Sequence, residues 1–379
     1  MVLVLLLWCA GLGAAAQFGK ISILYEDLRG AYAGRGEVAL GLVVSIVGMV
    51  GLIFGTTAGL LVARIGPRRA IVWALAAGAL MSAFQALLPA YPFMLASRII
   101  EGASHLAIVV VGPTMIAMLA PEARRPLAMT LWSSFFGVTY AALALIGPYS
   151  TSVGLFLGHA AYMAVLAAIL ALTLPPDPRG QTLPMGNLLR QHAEIYLSPH
   201  LAAPAMGFCC YTFLYVAVLT LLPPETPLSH RALMAAGMPL VSIAVSLTLG
   251  IWLLRHLSAV RLVQVGYAVA VPGFVLLWAF WGSGAGMVAG GVLLSAALGI
   301  VQGASFAAIP ELNTTADDRA RAAGAVAQLG NLGTTTGTPI LAALLAATGP
   351  AGLTAAAVIL CAVGIAIHAL QQSRRRVSP

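Results

Sequence analysis

Arg98, Glu101, Gly102 and His105 are spaced to share one face of a helix. They lie inside a long apolar stretch, where an ionisable side chain is costly and faces a partner or a cavity. Glu101 is the carboxylic acid placed well inside such a stretch. It is therefore the candidate proton-coupling group, with Arg98 one turn away to alter its proton affinity. The competing reading is an internal Arg98–Glu101 ion pair that only keeps both charges tolerable. For His105, packing and participation both stand open.

Gly13, Gln17 and Lys20 share another helical face. Lys20 either lines a cavity or snorkels to the outer end of its helix beside Tyr25 and Glu26. Phe208, Tyr211 and Tyr215 form an aromatic stripe whose hydroxyls need partners in an apolar setting. Gln302, Ser305, Gln328, Asn331 and Thr335 offer either solute contacts or hydrogen bonds between helices. The candidate substrate-binding set is Gln17, Lys20, Arg98, His105, Tyr211, Tyr215, Gln302 and Asn331.

The elements that carry these residues are membrane helices. Apolar residues make up 60% of the chain and charged residues 8%, with a mean hydropathy of +0.97. A soluble domain has about 25% charged residues, so this chain is solvated largely by lipid. Spans of about 20 residues are expected near 1–24, 37–63, 70–90, 94–118, 126–148, 154–174, 202–222, 232–254, 262–281, 286–310, 322–347 and 351–370. The 40 glycines suit close helix contact in lipid, and the alternating segments of a β-barrel are missing.

With the first residue cytoplasmic, most of the 19 lysines and arginines gather on one side, namely Arg64, Arg68, Arg69, Arg124, Arg125, Arg179, Arg190, Arg255, Arg261, Arg319, Arg321, Arg374, Arg375 and Arg376, leaving Lys20, Arg29, Arg35, Arg98 and Arg231 elsewhere. That bias places both termini inside. It also accounts for the net charge of +8 without nucleic acid, for which no basic face with interleaved aromatics exists. The apolar start, Met1 to Phe18, lacks the charged n-region of a signal peptide and is read as the first span. Cys9, Cys209, Cys210 and Cys361 sit in apolar segments without metal spacing.

Pro175 to His200 is proline-rich and polar, and reads as a cytoplasmic linker with a short surface helix near Leu188 to Tyr196. It separates an amino-terminal six-helix bundle, 1–174, from a carboxy-terminal one, 201–379, with a short tail. The two halves echo each other. Glu101-Gly102-Ala103-Ser104 returns as Gln302-Gly303-Ala304-Ser305, the mark of an internally repeated transporter. Asn313-Thr314-Thr315 matches a glycosylation sequon but falls on the cytoplasmic side, where Asn313 is expected as a cap or turn before span eleven.

Three further motifs stand in order. Gly59-Leu60-Leu61-Val62-Ala63-Arg64-Ile65-Gly66-Pro67-Arg68-Arg69 resembles the Gly-x-x-x-Asp-Arg-x-Gly-Arg-Arg loop of the major facilitator superfamily. Arg98 to Gly102 is similar to its Arg-x-x-x-Gly motif, and Gly330, Gly333, Gly337 and Pro339 to its glycine-rich helix. The resemblance implies an all-α fold of twelve transmembrane helices in two six-helix bundles. Spans 1, 4, 7 and 10 would line a cavity, and one half would rock against the other. It assigns Gly59, Arg64, Gly66, Arg68 and Arg69 to the conformational loop. Two departures follow. Ala63 replaces the acid with which the family latches its cytoplasmic side, so a weaker latch is expected. The antiporter signature of span five is reduced to Gly147-Pro148.

No phosphate loop or hydrolytic constellation is present, so an enzyme is not expected, nor is a cofactor. The reading is a monomeric secondary active transporter of the inner (plasma) membrane, moving a small organic solute with protons. An anion is favoured because Lys20 and Arg98 outnumber Glu101. An exporter of amphipathic compounds, a vitamin carrier and a non-transporting solute receptor are the alternatives.

Overall fold

The structure, a computed structural model, describes residues 1–177 and 188–377. Pro178, Arg179, Gly180 and Pro184 of the expected linker lie outside the described residues, as does the side chain of Ala63. The described chain is all-α. In order the helices are α1 (Val2–Ile23), α2 (Tyr25–Ala31), α3 (Glu37–Ser45), α4 (Gly48–Phe54), α5 (Ala58–Ile65), α6 (Pro67–Gln85), α7 (Tyr91–Leu119), α8 (Arg125–Ser133), α9 (Phe135–Ile146) and α10 (Ser152–Thr173). Then follow α11 (Leu188–Leu197), α12 (Ala202–Glu225), α13 (Leu228–Val245), α14 (Ile251–Leu253), α15 (Ala259–Ala279), α16 (Gly284–Leu312) and α17 (Ala316–Val377).

Eight of the described helices are long and apolar enough to cross a membrane, or nine if α3 and α4, bent by 61°, make one span. Span two is thus not one helix but the three pieces α3, α4 and α5. Span five breaks at Ser134 into α8 and α9. Between α13 and α14 lies a π-helical stretch, Ser246–Gly250. The long α17 turns at Gly349, whose φ of 66° is open to glycine, and Pro350 follows. This is the expected division between spans eleven and twelve.

The residues group into two compact units. One comprises Met1–Arg35 and Ile46–Met185, the other Gly36–Ser45 and Gly186–Pro379. The small helix α3 therefore belongs with the second unit, although its sequence lies in the expected first bundle. Gly41 explains the fit: a Cβ there would stand 2.5 Å from the backbone of Pro339 in α17. Ser45 adds a hydrogen bond to the Thr335 carbonyl at 2.8 Å.

In the first unit, α1 is buried along much of its length and packs on α7, α9 and α10. Its small residues permit this, since Gly13 lies under Met163 and Tyr162 of α10. The aliphatic core around Leu7, Ile71, Val111 and Met163 holds α1, α6, α7 and α10 together. In the second unit α12 is buried on nearly every side, with Gly333 and Gly337 of α17 against its backbone.

The expected surface helix is α11. Tyr196 donates to Gln328 Oε1 at 2.6 Å, tying it to α17, and Arg321 lies 3.6 Å from Glu194. Before α17 the cap is Thr315 rather than Asn313, because Thr315 Oγ1 accepts from the Asp318 N–H at 3.0 Å. Asn313 instead donates to the Ile309 carbonyl at the end of α16. The four cysteines are free.

Candidate functional site

Four helices of the first unit bring their polar side chains to one buried point. Lys20 comes from α1, Ser82 and Gln85 from α6, Arg98 and Glu101 from α7, and His159 from α10. Lys20, Arg98 and Glu101 are each 0% exposed. Such charges persist in a low-dielectric interior only when paired and fully hydrogen-bonded.

Glu101 is held on both oxygens. Lys20 Nζ reaches Oε1 at 2.6 Å. Arg98 Nη1 and Gln85 Nε2 reach Oε2, the latter at 2.9 Å. Lys20 is satisfied in turn: beyond Glu101 its ammonium meets Ser82 Oγ at 2.8 Å and His159 Nδ1 at 3.2 Å. It also lies 5.4 Å from the centre of the Phe156 ring. His159 Nε2 is 3.0 Å from the Gly13 carbonyl, which can only accept, so the ring hydrogen sits on Nε2 and Nδ1 faces Lys20 as an acceptor. Two cations and one carboxylate leave the cluster with a net charge of +1.

The expected residues divide around this centre. Lys20, Arg98 and Glu101 come together. The snorkelling alternative for Lys20 is corrected: its partner is Glu101 in α7, not Glu26, and it is wholly buried. Gln17 stands beside the cluster and donates to Ser104 Oγ at 2.9 Å, which passes on to the Ala74 carbonyl. His105 sits apart from the carboxylate. Its Nδ1 is 3.0 Å from the Ala14 carbonyl, and its ring meets Phe18 edge-on at 5.0 Å.

In the second unit Tyr211 stacks between Phe208 and Tyr215, at ring separations of 5.1 and 5.0 Å. The Tyr211 hydroxyl is buried without a hydrogen-bond partner among the described residues. Gln302 is half-buried, one turn before the exposed Phe306. Asn331 turns back to the Ala327 carbonyl of its own helix at 2.7 Å.

Sequence reasoning missed Ser82, Gln85 and His159. A histidine and a glutamine in apolar segments were visible signals. Ser82 and Gln85 are three residues apart on α6, but the partners of all three, Lys20 and Glu101, stand on other helices, so reading one helix at a time gave them no role.

The loop residues are ordered by a carboxylate from the end of α10. Gly66 has φ +96° and makes the corner between α5 and α6. Asp177 then accepts from the first-turn N–H groups of Arg68 and Arg69 at 2.7 and 3.1 Å, a favourable place for an anion. The Arg68 guanidinium bonds the Ala171 carbonyl. Gly59 and Arg64 are exposed, and a Cβ at Gly59 would meet no atom of the described residues within 4 Å.

The family model of the Major Facilitator Superfamily matches residues 3–313. The chain belongs to this superfamily, a class of membrane transporters rather than enzymes. Among curated relatives, the inner membrane transport protein YajR of Escherichia coli K12 is 28% identical over 203 residues. That match covers 52% of this chain and 44% of YajR, so the chain matches less than half of its relative's length.

Solved structures match more fully. A bacterial homologue of the human lysosomal transporter Spinster, inward-facing and occupied, is 15% identical. Its TM-score is 0.78, over 98% of this chain and 96% of that one. The xylose transporter XylE of E. coli, inward open, is 16% identical with a TM-score of 0.76, over 98% and 95%. The fucose:proton symporter FucP of E. coli is 16% identical with a TM-score of 0.68, over 98% of each chain. At these identities they show the fold alone.

Proposed function

We propose that this protein is a secondary active transporter of the inner membrane that moves a small organic anion together with protons by alternating access. Both termini would be cytoplasmic, and the working unit a monomer. The observation that carries the reading is the Lys20–Glu101–Arg98 cluster, three ionisable groups fully buried within one unit. A structural ion pair needs only two partners. Here the carboxylate is shared between two cations, so its protonation changes what both of them hold. The net positive charge favours an anionic solute. YajR, an inner membrane transport protein, and FucP, a proton symporter, support the location and the coupling ion.

In this reading Glu101 is the proton site and Arg98 its coupling partner. Gln17, Lys20, His105, Tyr211, Tyr215, Gln302 and Asn331 are the substrate-binding candidates. The loop Gly59, Arg64, Gly66, Arg68 and Arg69 governs the conformational change. Gln302 stands where the repeat would place a second carboxylate and cannot titrate, so one proton site is expected. Glu101→Gln, assayed in proteoliposomes and normalised to folded protein, is expected to abolish uptake driven by a proton gradient while solute exchange continues. Undiminished proton-driven accumulation would make Glu101 structural.

A further inference from the structure

The donors around Glu101 outnumber what an ion pair within α7 requires. Arg98 is its neighbour one turn back, but Lys20 comes from α1 and Gln85 from α6. Three helices thus aim donors at the two oxygens of a single carboxylate. Gln85 is itself oriented, with the same amide nitrogen 3.2 Å from Ser97 Oγ. The arrangement is that of a carboxylate receptor, occupied by a carboxylate that belongs to the protein.

Lys20 is also held by groups that do not depend on Glu101. Ser82 Oγ and His159 Nδ1 are neutral acceptors, at 2.8 and 3.2 Å from the ammonium. His159 is fixed by the Gly13 carbonyl, and Ser82 by its own bond to the Phe156 carbonyl at 3.0 Å. The ammonium would therefore keep its place if the Glu101 side chain swung away.

We propose that this receptor takes the carboxylate of a small monocarboxylic acid, that Glu101 is its tethered occupant in the empty protein, and that one proton enters with each anion. The proposal rests on the reading of Glu101 as the proton site. Charge conservation sets the stoichiometry. Removing the Glu101 carboxylate in its charged form would strand Lys20 and Arg98 as two buried cations, which a low-dielectric interior opposes. If Glu101 gains a proton as the substrate anion arrives, its O–H bond forms while its ion pairs pass to the substrate carboxylate, and it can leave without stranding either cation. The buried sum is +1 before and +1 after. On the other side of the membrane the anion departs, the Glu101 O–H bond breaks, the proton passes to water, and Glu101 returns to Lys20. The donors of Lys20, Gln85 and Arg98 converge on one carboxylate group, so the solute expected is a monocarboxylate. Transport is then electroneutral.

Two measurements test this. In purified Glu101→Ala protein the receptor loses its tether, so sodium acetate is expected to raise Tm well above the effect of equal sodium chloride or of neutral acetamide. In wild-type protein, where Glu101 fills the receptor, the acetate effect should be much smaller. Equal effects of acetate and chloride on the variant would overturn the receptor.

The second measurement uses wild-type protein in vesicles and is independent of how the variant folds. Radiolabelled pyruvate, L-lactate and D-gluconate are offered under an inward proton gradient, with the membrane potential clamped at zero or inside-negative. Uptake of at least one above protein-free vesicles, at the same rate under both potentials, is expected. Uptake of none overturns the substrate class. A proton-driven rate that changes severalfold with potential overturns the one-to-one exchange but leaves proton coupling standing. Uptake that follows the potential and ignores the proton gradient refutes proton coupling itself.

Discussion

Removing either charge of the Lys20–Glu101 pair should have very unequal consequences, and a double-mutant cycle reads the difference directly. Glu101→Gln leaves Lys20 and Arg98, both 0% exposed, without the carboxylate that binds them. Breaking a buried pair from one side typically costs about 3–5 kcal/mol, because the remaining charge is uncompensated. Lys20→Met leaves Glu101 balanced by Arg98 and still bonded by Gln85. What is lost is the Lys20 bond to Glu101 Oε1 and the ammonium's bonding to Ser82 and His159, of which the Ser82 hydroxyl, 2.9 Å from His159 Nδ1, can turn to fill the histidine acceptor. A cost of about 1–3 kcal/mol is expected, that of a buried group left short of a partner. The double variant retains a single buried cation and should be less destabilised than the sum of the two by about 2 kcal/mol, within the range for groups in direct contact. The assay is denaturant unfolding of the four purified proteins in one detergent at neutral pH. If Glu101→Gln is no costlier than Lys20→Met and the two add to within about 0.5 kcal/mol, the charge argument fails and the cluster is only hydrogen-bonded packing.

The echoed glycines make a second comparison. A Cβ at Gly102 would press on the Val47 carbonyl, whereas one at Gly303 would meet the Ser246 hydroxyl at 2.6 Å, a side chain that can rotate. Gly102→Ala should therefore cost about 1–3 kcal/mol as overpacking against backbone. Gly303→Ala should stay within about 1 kcal/mol of neutral, because alanine's better helix propensity offsets the contact; equal losses of Tm would contradict the difference in packing. Asp177→Ala should remove about 1 kcal/mol of cap stabilisation and speed amide exchange at Arg68 and Arg69, while unchanged exchange there would mean that Asp177 does not hold the start of α6.

Much of the fold was legible because lipid imposes a simple rule on sequence. A helix must be apolar for about 20 residues, and α7, α10, α12 and α16 fall close to where that rule places them. Continuity was not legible. Hydropathy measures compatibility with lipid, and α3, α4 and α5 are as apolar as an unbroken span would be. The bend of 61° between α3 and α4 follows from how each piece packs, which no local pattern records. The grouping of α3 with the second unit has the same origin, since it depends on the meeting of Gly41 with Pro339, far apart in the chain.

The site was legible as residue types and not as partnerships. Arg98 and Glu101 could be paired from the sequence because they are one turn apart. For Lys20 the sequence offered Glu26 nearby, whereas its partner Glu101 is on another helix, and helical periodicity ranks only neighbours on one helix. The repeat supplies what periodicity lacks. Gly102 closes against Val47, just before α4, and Gly303 against Ser246, where the π-helical stretch begins. Both echoed glycines thus pack against an irregular point in the second span of their half, so the scaffold is repeated even where the chemistry is not. Around the first glycine stand Lys20, Arg98 and Glu101. In the second unit the same register carries Gln302, and the helix matching α1 presents stacked aromatic rings instead of an ammonium. Among the described residues the buried Lys, Arg and Glu side chains all stand in the first copy of the repeated frame, which is why the echo of Glu101 as Gln302 marks a difference in chemistry and not in scaffold.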